Sequence, residues 1–251
     1  MENPLRNLWT QGQTAYSGWL HIPSPFSAEL MAQAGFDALT LDLQHGLLDF
    51  ASALGLLQAL KGEPVLPVAR IPRNEPGLIM KLLDAGVGGL ICPMVSTAEE
   101  ARAFVGACRY PPQGYRSYGP TRASLLWGGE YAEIANQNVL TFAMIETAEG
   151  LENLEAIVST PGLDGVFVGP NDLGQVLGQG VGLDRMQPEF LAILAHIVTV
   201  SLQRNVIAGI FCASPEYAGR MAEMGYRFIA VSSDARLLSG AAQLLVKALR
   251  G

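Results

Sequence analysis

The feature that most limits what this chain can fold into is an alternation of short apolar runs with amphipathic stretches, repeated eight times from end to end. The spacing predicts strands over residues 16–22, 38–43, 65–71, 89–95, 141–145, 165–168, 206–212 and 228–231. Helical periodicity is expected between them over residues 27–34, 50–61, 77–85, 98–108, 147–159 and 215–224, with residues 235–249 closing the chain. Strands that are apolar almost without interruption are covered on both faces, as in a parallel sheet whose crossovers are helices. Eight such units favour a closed (β/α)8 TIM barrel over an open doubly wound sheet. Gly35, Gly86 and Gly225 each follow a helical run, where a left-handed residue ends a helix. A chain of 251 residues, 49% of them hydrophobic, suits one large domain, and no linker divides residues 1–251.

Charge and cysteine usage narrow the function. A net charge of −7 argues against nucleic acid or an anionic membrane as partner. No run approaches the roughly 20 apolar residues of a membrane helix, and the stretch from Met1 to Arg6 lacks the apolar core of a signal peptide. Cys92, Cys108 and Cys212 are odd in number, widely spaced and set among apolar residues. They read as buried thiols rather than a disulfide framework or a zinc site. The expectation is a cytoplasmic protein with a small-molecule ligand.

In a parallel barrel, chemistry gathers where the strands end. The fifth strand ends in Glu146, and the sixth ends in Gly169-Pro170-Asn171-Asp172. A strand, a helix and a parallel strand bring both ends to one edge of the sheet. Neighbouring carboxylates repel unless a proton or a cation stands between them. Oxygen ligands suit a small hard divalent ion, magnesium or manganese, with cobalt a further candidate. The alternative is that both acids merely cap the helices that follow. His45 follows the second strand and Arg70 ends the third. Alone, the histidine could be structural and the arginine could pair with a surface acid. Together with the two carboxylates they form one set at matching ends of four strands, and no acid or histidine at the opposite ends rivals it.

The residue types specify a chemistry. A divalent ion on Glu146 and Asp172 can chelate a 2-oxo acid, polarise its carbonyl and acidify the adjacent C–H. Arg70 can hydrogen-bond the keto oxygen as it becomes an enolate. His45 is of the residue type suited to carrying the proton. Lys61, Lys81 and Lys247 all fall in helices or at their ends, so a Schiff-base mechanism lacks its nucleophile. His196 reads as a helical residue, and His21 ends the first strand beside the rim. Two connections, residues 109–137 and 174–186, exceed what packing needs; long ordered loops usually cover a site, though each could in part be a surface excursion or a subunit contact.

The chain resembles the HpcH/HpaI family of metal-dependent pyruvate aldolases, which includes 4-hydroxy-2-oxoheptanedioate and 2-dehydro-3-deoxyglucarate aldolases. The resemblance spans nearly the whole chain. It rests on Phe36-Asp37 to Gln44-His45-Gly46, Arg70 to Asn74, Leu82-Leu83-Asp84-Ala85-Gly86, Arg109 to Arg116, Ile145-Glu146-Thr147 and Val168 to Leu173. It implies Glu146 and Asp172 as metal ligands, His45 as base and Arg70 as enolate stabiliser. Implied substrate contacts are Gly169, Pro170, Trp19 and Met144, with Asn171 and Asp172 offering main-chain N–H groups to the substrate carboxylate. Asp84 would raise the basicity of the histidine. Barrel geometry puts Asp84 at the face opposite His45, roughly 17–20 Å away, so it would act from a neighbouring subunit of a homo-oligomer, by analogy a hexamer. The chain departs from many relatives at Met144, where they have Gln, and at Gln44, where they have Glu. The implied reaction is reversible cleavage of 4-hydroxy-2-oxo acids to pyruvate and an aldehyde. Oxaloacetate decarboxylation and non-catalytic binding of 2-oxo acids are the alternatives.

Overall fold

The computed structural model describes residues 3–251. Its elements run α1 (Pro4–Thr10), β1 (Ala15–Leu20), α2 (Pro25–Ala32), β2 (Ala38–Asp42), α3 (Phe50–Ala59), β3 (Leu66–Arg70) and α4 (Pro76–Asp84). They continue with β4 (Gly89–Cys92), α5 (Ala98–Cys108), α6 (Thr121–Trp127), α7 (Tyr131–Asn138), β5 (Leu140–Ile145), α8 (Ala148–Glu152) and α9 (Leu154–Val158). The last third is β6 (Gly165–Val168), α10 (Pro170–Val176), α11 (Pro188–Gln203), β7 (Ile207–Cys212), α12 (Pro215–Met224), β8 (Phe228–Ser233) and α13 (Asp234–Arg250). Each strand pairs in parallel with its chain neighbour, and β1 pairs with β8 to close the barrel.

Local chemistry explains the element ends. Asp49 with Ser52 and Thr97 with Glu100 form capping boxes that start α3 and α5. Gly225 ends α12 at φ 117°, and Gly35 and Gly86 also have positive φ just beyond their helices. The single helix expected over 147–159 is two short helices meeting at Asn153, whose side-chain amide donates to the Ser96 carbonyl at 2.9 Å.

Alternation along the strands sorts side chains into two cores. Outward residues pack beneath the helices, while Ala15, Trp19, Val68, Phe142, Phe167 and Phe228 belong to a separate cluster that fills the barrel. Leu5 and Trp9 of α1 plug the N-terminal end of the strands, with the Trp9 ring 6.1 Å from Phe142 and 6.3 Å from Phe228. With that end stoppered, the opposite end is where a cavity can open. The stretch 109–137 connects α5 to β5 and carries α6 and α7. It therefore lies at the plugged end and cannot cover the barrel mouth of its own chain, contrary to what its length suggested. All three cysteines are buried free thiols. Among the described residues, no helix is long and apolar enough to cross a membrane.

Candidate active site

Parallel register sets Asp42, the last residue of β2, beside Arg70, the last of β3. The Arg70 guanidinium binds the fully buried Asp42 carboxylate with two parallel bonds, Nε to Oδ1 at 2.9 Å and Nη2 to Oδ2 at 2.6 Å. The main-chain N–H groups of Gln44 and His45 also donate to Oδ1, and His21 Nε2 stands 3.0 Å from Oδ2. Burial alone would raise the Asp42 pKa. The contacts from His21, Arg70 and the His45 N–H outweigh it and hold the carboxyl well below the usual carboxylate range. Arg70 also lies over the Trp19 ring, 5.1 Å from its centroid. Two of its five N–H donors serve Asp42, which fixes the fork and leaves the Nη1 side for a ligand.

Glu146, directly after β5, is 2% exposed and accepts a 2.8 Å bond from the Met94 N–H through Oε1. Met94 has φ 57°, a left-handed conformation uncommon for a residue with a side chain, and this bend turns its N–H onto the carboxylate. Burial, reinforced by the negative charge of Asp172, pushes the Glu146 pKa up; the Met94 N–H and Arg70 oppose this without cancelling it. A Cβ on Gly169 would collide with Glu146 Oε2, so glycine is what lets the end of β6 lie against the carboxylate. Asp172, in the first turn of α10, is half-buried and makes no hydrogen bond or ion pair among the described residues. Neither acid is a helix cap: Thr147 caps α8, and α10 has no side-chain cap.

These two carboxylates fit a hard divalent cation. One is buried with a raised pKa, the other is unpartnered, and the negative charge of the second adds to the rise in the first. No group of three His, Cys, Asp or Glu side chains converges among the described residues, so Glu146 and Asp172 are the two that would hold such an ion.

The carboxylates open onto a cavity of about 190 Å³ that His45, Arg70, Trp19 and Met144 also line. Gly169, Pro170 and Asn171 complete one wall. Trp19 packs edge-on to Phe211 at 5.5 Å and tilted against Phe167 at 5.7 Å, so the floor is aromatic. His45 is exposed at the rim. Asp84 is not part of this cavity. It stands at the C-terminus of α4 and accepts a 2.7 Å bond from Arg116, which is clamped between the rings of Tyr110 and Tyr131. The loop 174–186 does reach the mouth: Leu183 lines the cavity, held by Gly182 N–H on the Asn171 side chain and by Asp184 on Ala213 and Ser214.

Sequence reasoning did not single out Asp42, the Met94 main chain or Arg236, which also lines the cavity. Asp42 did carry a signal: Ala38, Thr40 and Asp42 alternate inward, so an acid there ends the strand inside the barrel mouth.

The family model described as HpcH/HpaI aldolase/citrate lyase matches residues 16–241. The chain belongs to this family. It is 38% identical over 244 residues to a hydroxypyruvate/pyruvate aldolase of Rhizorhabdus wittichii, covering 97% of each chain. A 5-keto-4-deoxy-D-glucarate aldolase of Escherichia coli is 36% identical over 229 residues, covering 90% of this chain and 89% of that one. An HpcH/HpaI aldolase/citrate lyase family structure from Burkholderia cenocepacia superposes with a TM-score of 0.91 at 32% identity, over 99% of this chain and all of that one. As a member of the HpcH/HpaI family the protein is an aldolase, a carbon–carbon lyase.

Proposed function

We propose that this aldolase cleaves 4-hydroxy-2-oxo acids reversibly into pyruvate and an aldehyde, with a divalent metal held by Glu146 and Asp172. The observation that carries the reading is the buried Glu146 facing the unpartnered Asp172, with the Arg70 fork on the same cavity. When bound, magnesium or manganese would supply Lewis acidity at the keto group. The protein's own residues do the rest. In the cleavage direction His45 takes the proton of the 4-hydroxyl, the C3–C4 bond breaks, and its electrons move to the keto oxygen. Arg70 stabilises the negative charge that develops there. The aldehyde leaves, and protonation at C3 gives pyruvate. The main-chain N–H groups of Asn171 and Asp172 orient the substrate carboxylate. Trp19 and Phe211 keep bulk water from the cavity floor. The reading is tested by pyruvate release across a panel of 4-hydroxy-2-oxo acids. Release from oxaloacetate alone would replace it with decarboxylation.

Met144 is 2% exposed and lines the cavity with a flexible apolar chain, so it offers the donor oxo acid no hydrogen bond. Met144→Gln is expected to shift the relative use of pyruvate and larger 2-oxo acids by about threefold to tenfold, the scale of one neutral hydrogen bond. Competition assays with paired donors check this, and an unchanged ratio would remove Met144 from the donor pocket.

The functional unit in this reading is a homo-oligomer, a hexamer by family analogy, acting in the cytoplasm where its three thiols stay reduced. Its support is α13, where Leu238, Leu244, Leu245 and Leu249 are 67, 71, 64 and 78% exposed. Tyr16, facing outward on β1, is itself 37% exposed, so the barrel wall that α13 adjoins is incompletely covered. An apolar helix and an under-covered wall on one chain suit a second copy. Asp84 Oδ2 has no partner among the described residues and is available at the plugged end to a neighbouring His45. Native mass measurement should give an oligomer, and mixing inactive His45→Ala with Asp84→Asn chains should restore part of the activity. A fully active monomer would end this account.

A further inference from the structure

The cavity has a second charged end. Glu146 and Asp172 follow β5 and β6, whereas His21 follows β1 and Arg236 belongs to the first turn of α13, after β8. In a closed eight-strand barrel β1 stands opposite β5, so the two groups face each other across the mouth. Arg70 and Arg236 are the two arginines lining the cavity, and they differ in one respect. Arg70 is tied to Asp42, whereas the Arg236 guanidinium has no hydrogen bond, ion pair or ring partner among the described residues.

The acid two residues before it is engaged elsewhere. The Asp234 carboxylate is 4% exposed and accepts from the His21 and Ile22 N–H groups, the Ser27 hydroxyl and its own neighbour Ala235. The bonds from His21 and Ile22 pin the start of α13 to the end of β1, and the one from Ser27 ties it to α2, which fixes where Arg236 emerges. Beyond Arg236 and His21 the cavity continues into an open depression of about 560 Å³. Ser232, Ser239 and Gln243 line that depression, and it contains no acidic side chain.

We propose that Arg236 is a specificity-determining residue that binds an oxyanion, a carboxylate or a phosphate, on the aldehyde part of the substrate. The assignment rests on the pyruvate-aldolase reading, which places the 2-oxo acid end against Glu146 and Asp172. A substrate anchored there and extended across the mouth brings its far end to Arg236. A free guanidinium at the exposed rim of the cavity offers a planar, two-toothed match to an oxyanion. The serine and glutamine side chains beyond it suit the hydroxyl groups or water that accompany such a tail.

The test is aldol addition of pyruvate to matched aldehydes: butanal against 4-oxobutanoate, and glyceraldehyde against glyceraldehyde 3-phosphate. Wild-type kcat/KM should favour the anionic member of at least one pair. Which pair responds separates carboxylate from phosphate recognition. Arg236→Gln should lower that preference by about tenfold to a hundredfold, the scale of charge-assisted bonds, chiefly through KM. Arg236→Lys should restore part of it, since charge returns without the fork. Equal use of anionic and neutral aldehydes by the wild type, or an equal loss on both in Arg236→Gln, would overturn the assignment. Wild-type exchange of pyruvate methyl protons with deuterium oxide needs no aldehyde and reads the other end of the site. Exchange without anion preference sinks Arg236 alone, whereas no exchange sinks the aldolase reading and this assignment with it.

Discussion

Cleavage by this enzyme should fall roughly a thousandfold or more when a chelator strips divalent metal, and magnesium, manganese or cobalt should restore it. The expectation follows from the carboxylates rather than from the family alone. Glu146 is buried, its pKa is raised, and Asp172 has no protein partner to offset its charge. A cation between them would relieve their repulsion, and its removal would take away the Lewis acidity proposed for the keto group. Glu146→Gln should raise the metal concentration needed for half-activity and leave the fold intact, because the amide keeps the volume and can still accept from Met94. Borohydride added with pyruvate should trap nothing, since no lysine lines the cavity. Full turnover in excess chelator would end the metal-assisted mechanism.

The barrel was legible because its strands are almost uniformly apolar and a helical period was assigned after seven of the eight; α11, after the sixth strand, was given no range. The ranges 98–108, 165–168 and 215–224 agree with α5, β6 and α12 to the residue. What escaped was structure held by distant contacts. The seven residues of α1 carry Leu5, Leu8 and Trp9 at helical spacing, but two turns are too short for that period to stand out, and the helix is defined by what those side chains plug. The loop 109–137 was conspicuous for its length, but length does not reveal which end of a barrel a loop occupies. That depends on whether it leaves a helix or a strand, and this one leaves the helix α5.

The site divides in the same way. That His45, Arg70, Glu146 and Asp172 share one cavity was legible because strand ends are marked in the sequence by where apolar runs stop. Asp42 was hidden inside Leu41-Asp42-Leu43, where it reads as an interruption. Its importance depends on the β2–β3 register, which sets it opposite Arg70 and which no local pattern specifies. Arg236 was hidden because it lies a turn beyond its strand, where a helical arginine looks like an ordinary surface charge.

Arg70→Ala is expected to lower turnover by about a hundredfold or more while changing metal affinity little, because in the proposed mechanism Arg70 meets charge that develops during bond cleavage. It should also destabilise the fold. The substitution leaves Asp42 buried without its cation, and breaking a buried pair from one side costs about 3–5 kcal/mol. The two effects can be separated. In Arg70→Ala/Asp42→Asn neither charge is left alone, so much of the lost stability should return while turnover stays low. The pH dependence provides a second check. The folded pKa of Asp42 lies below its unfolded value, so its contribution is fully present above the ordinary carboxylate range and diminishes as pH falls through that range towards the folded value. The stability gap between wild type and Asp42→Asn should therefore be widest near neutrality and narrow in acid, as read from urea midpoints across pH. If the double variant regained turnover with stability, Arg70 would be a structural clamp for Asp42 and some other group would have to stabilise the enolate.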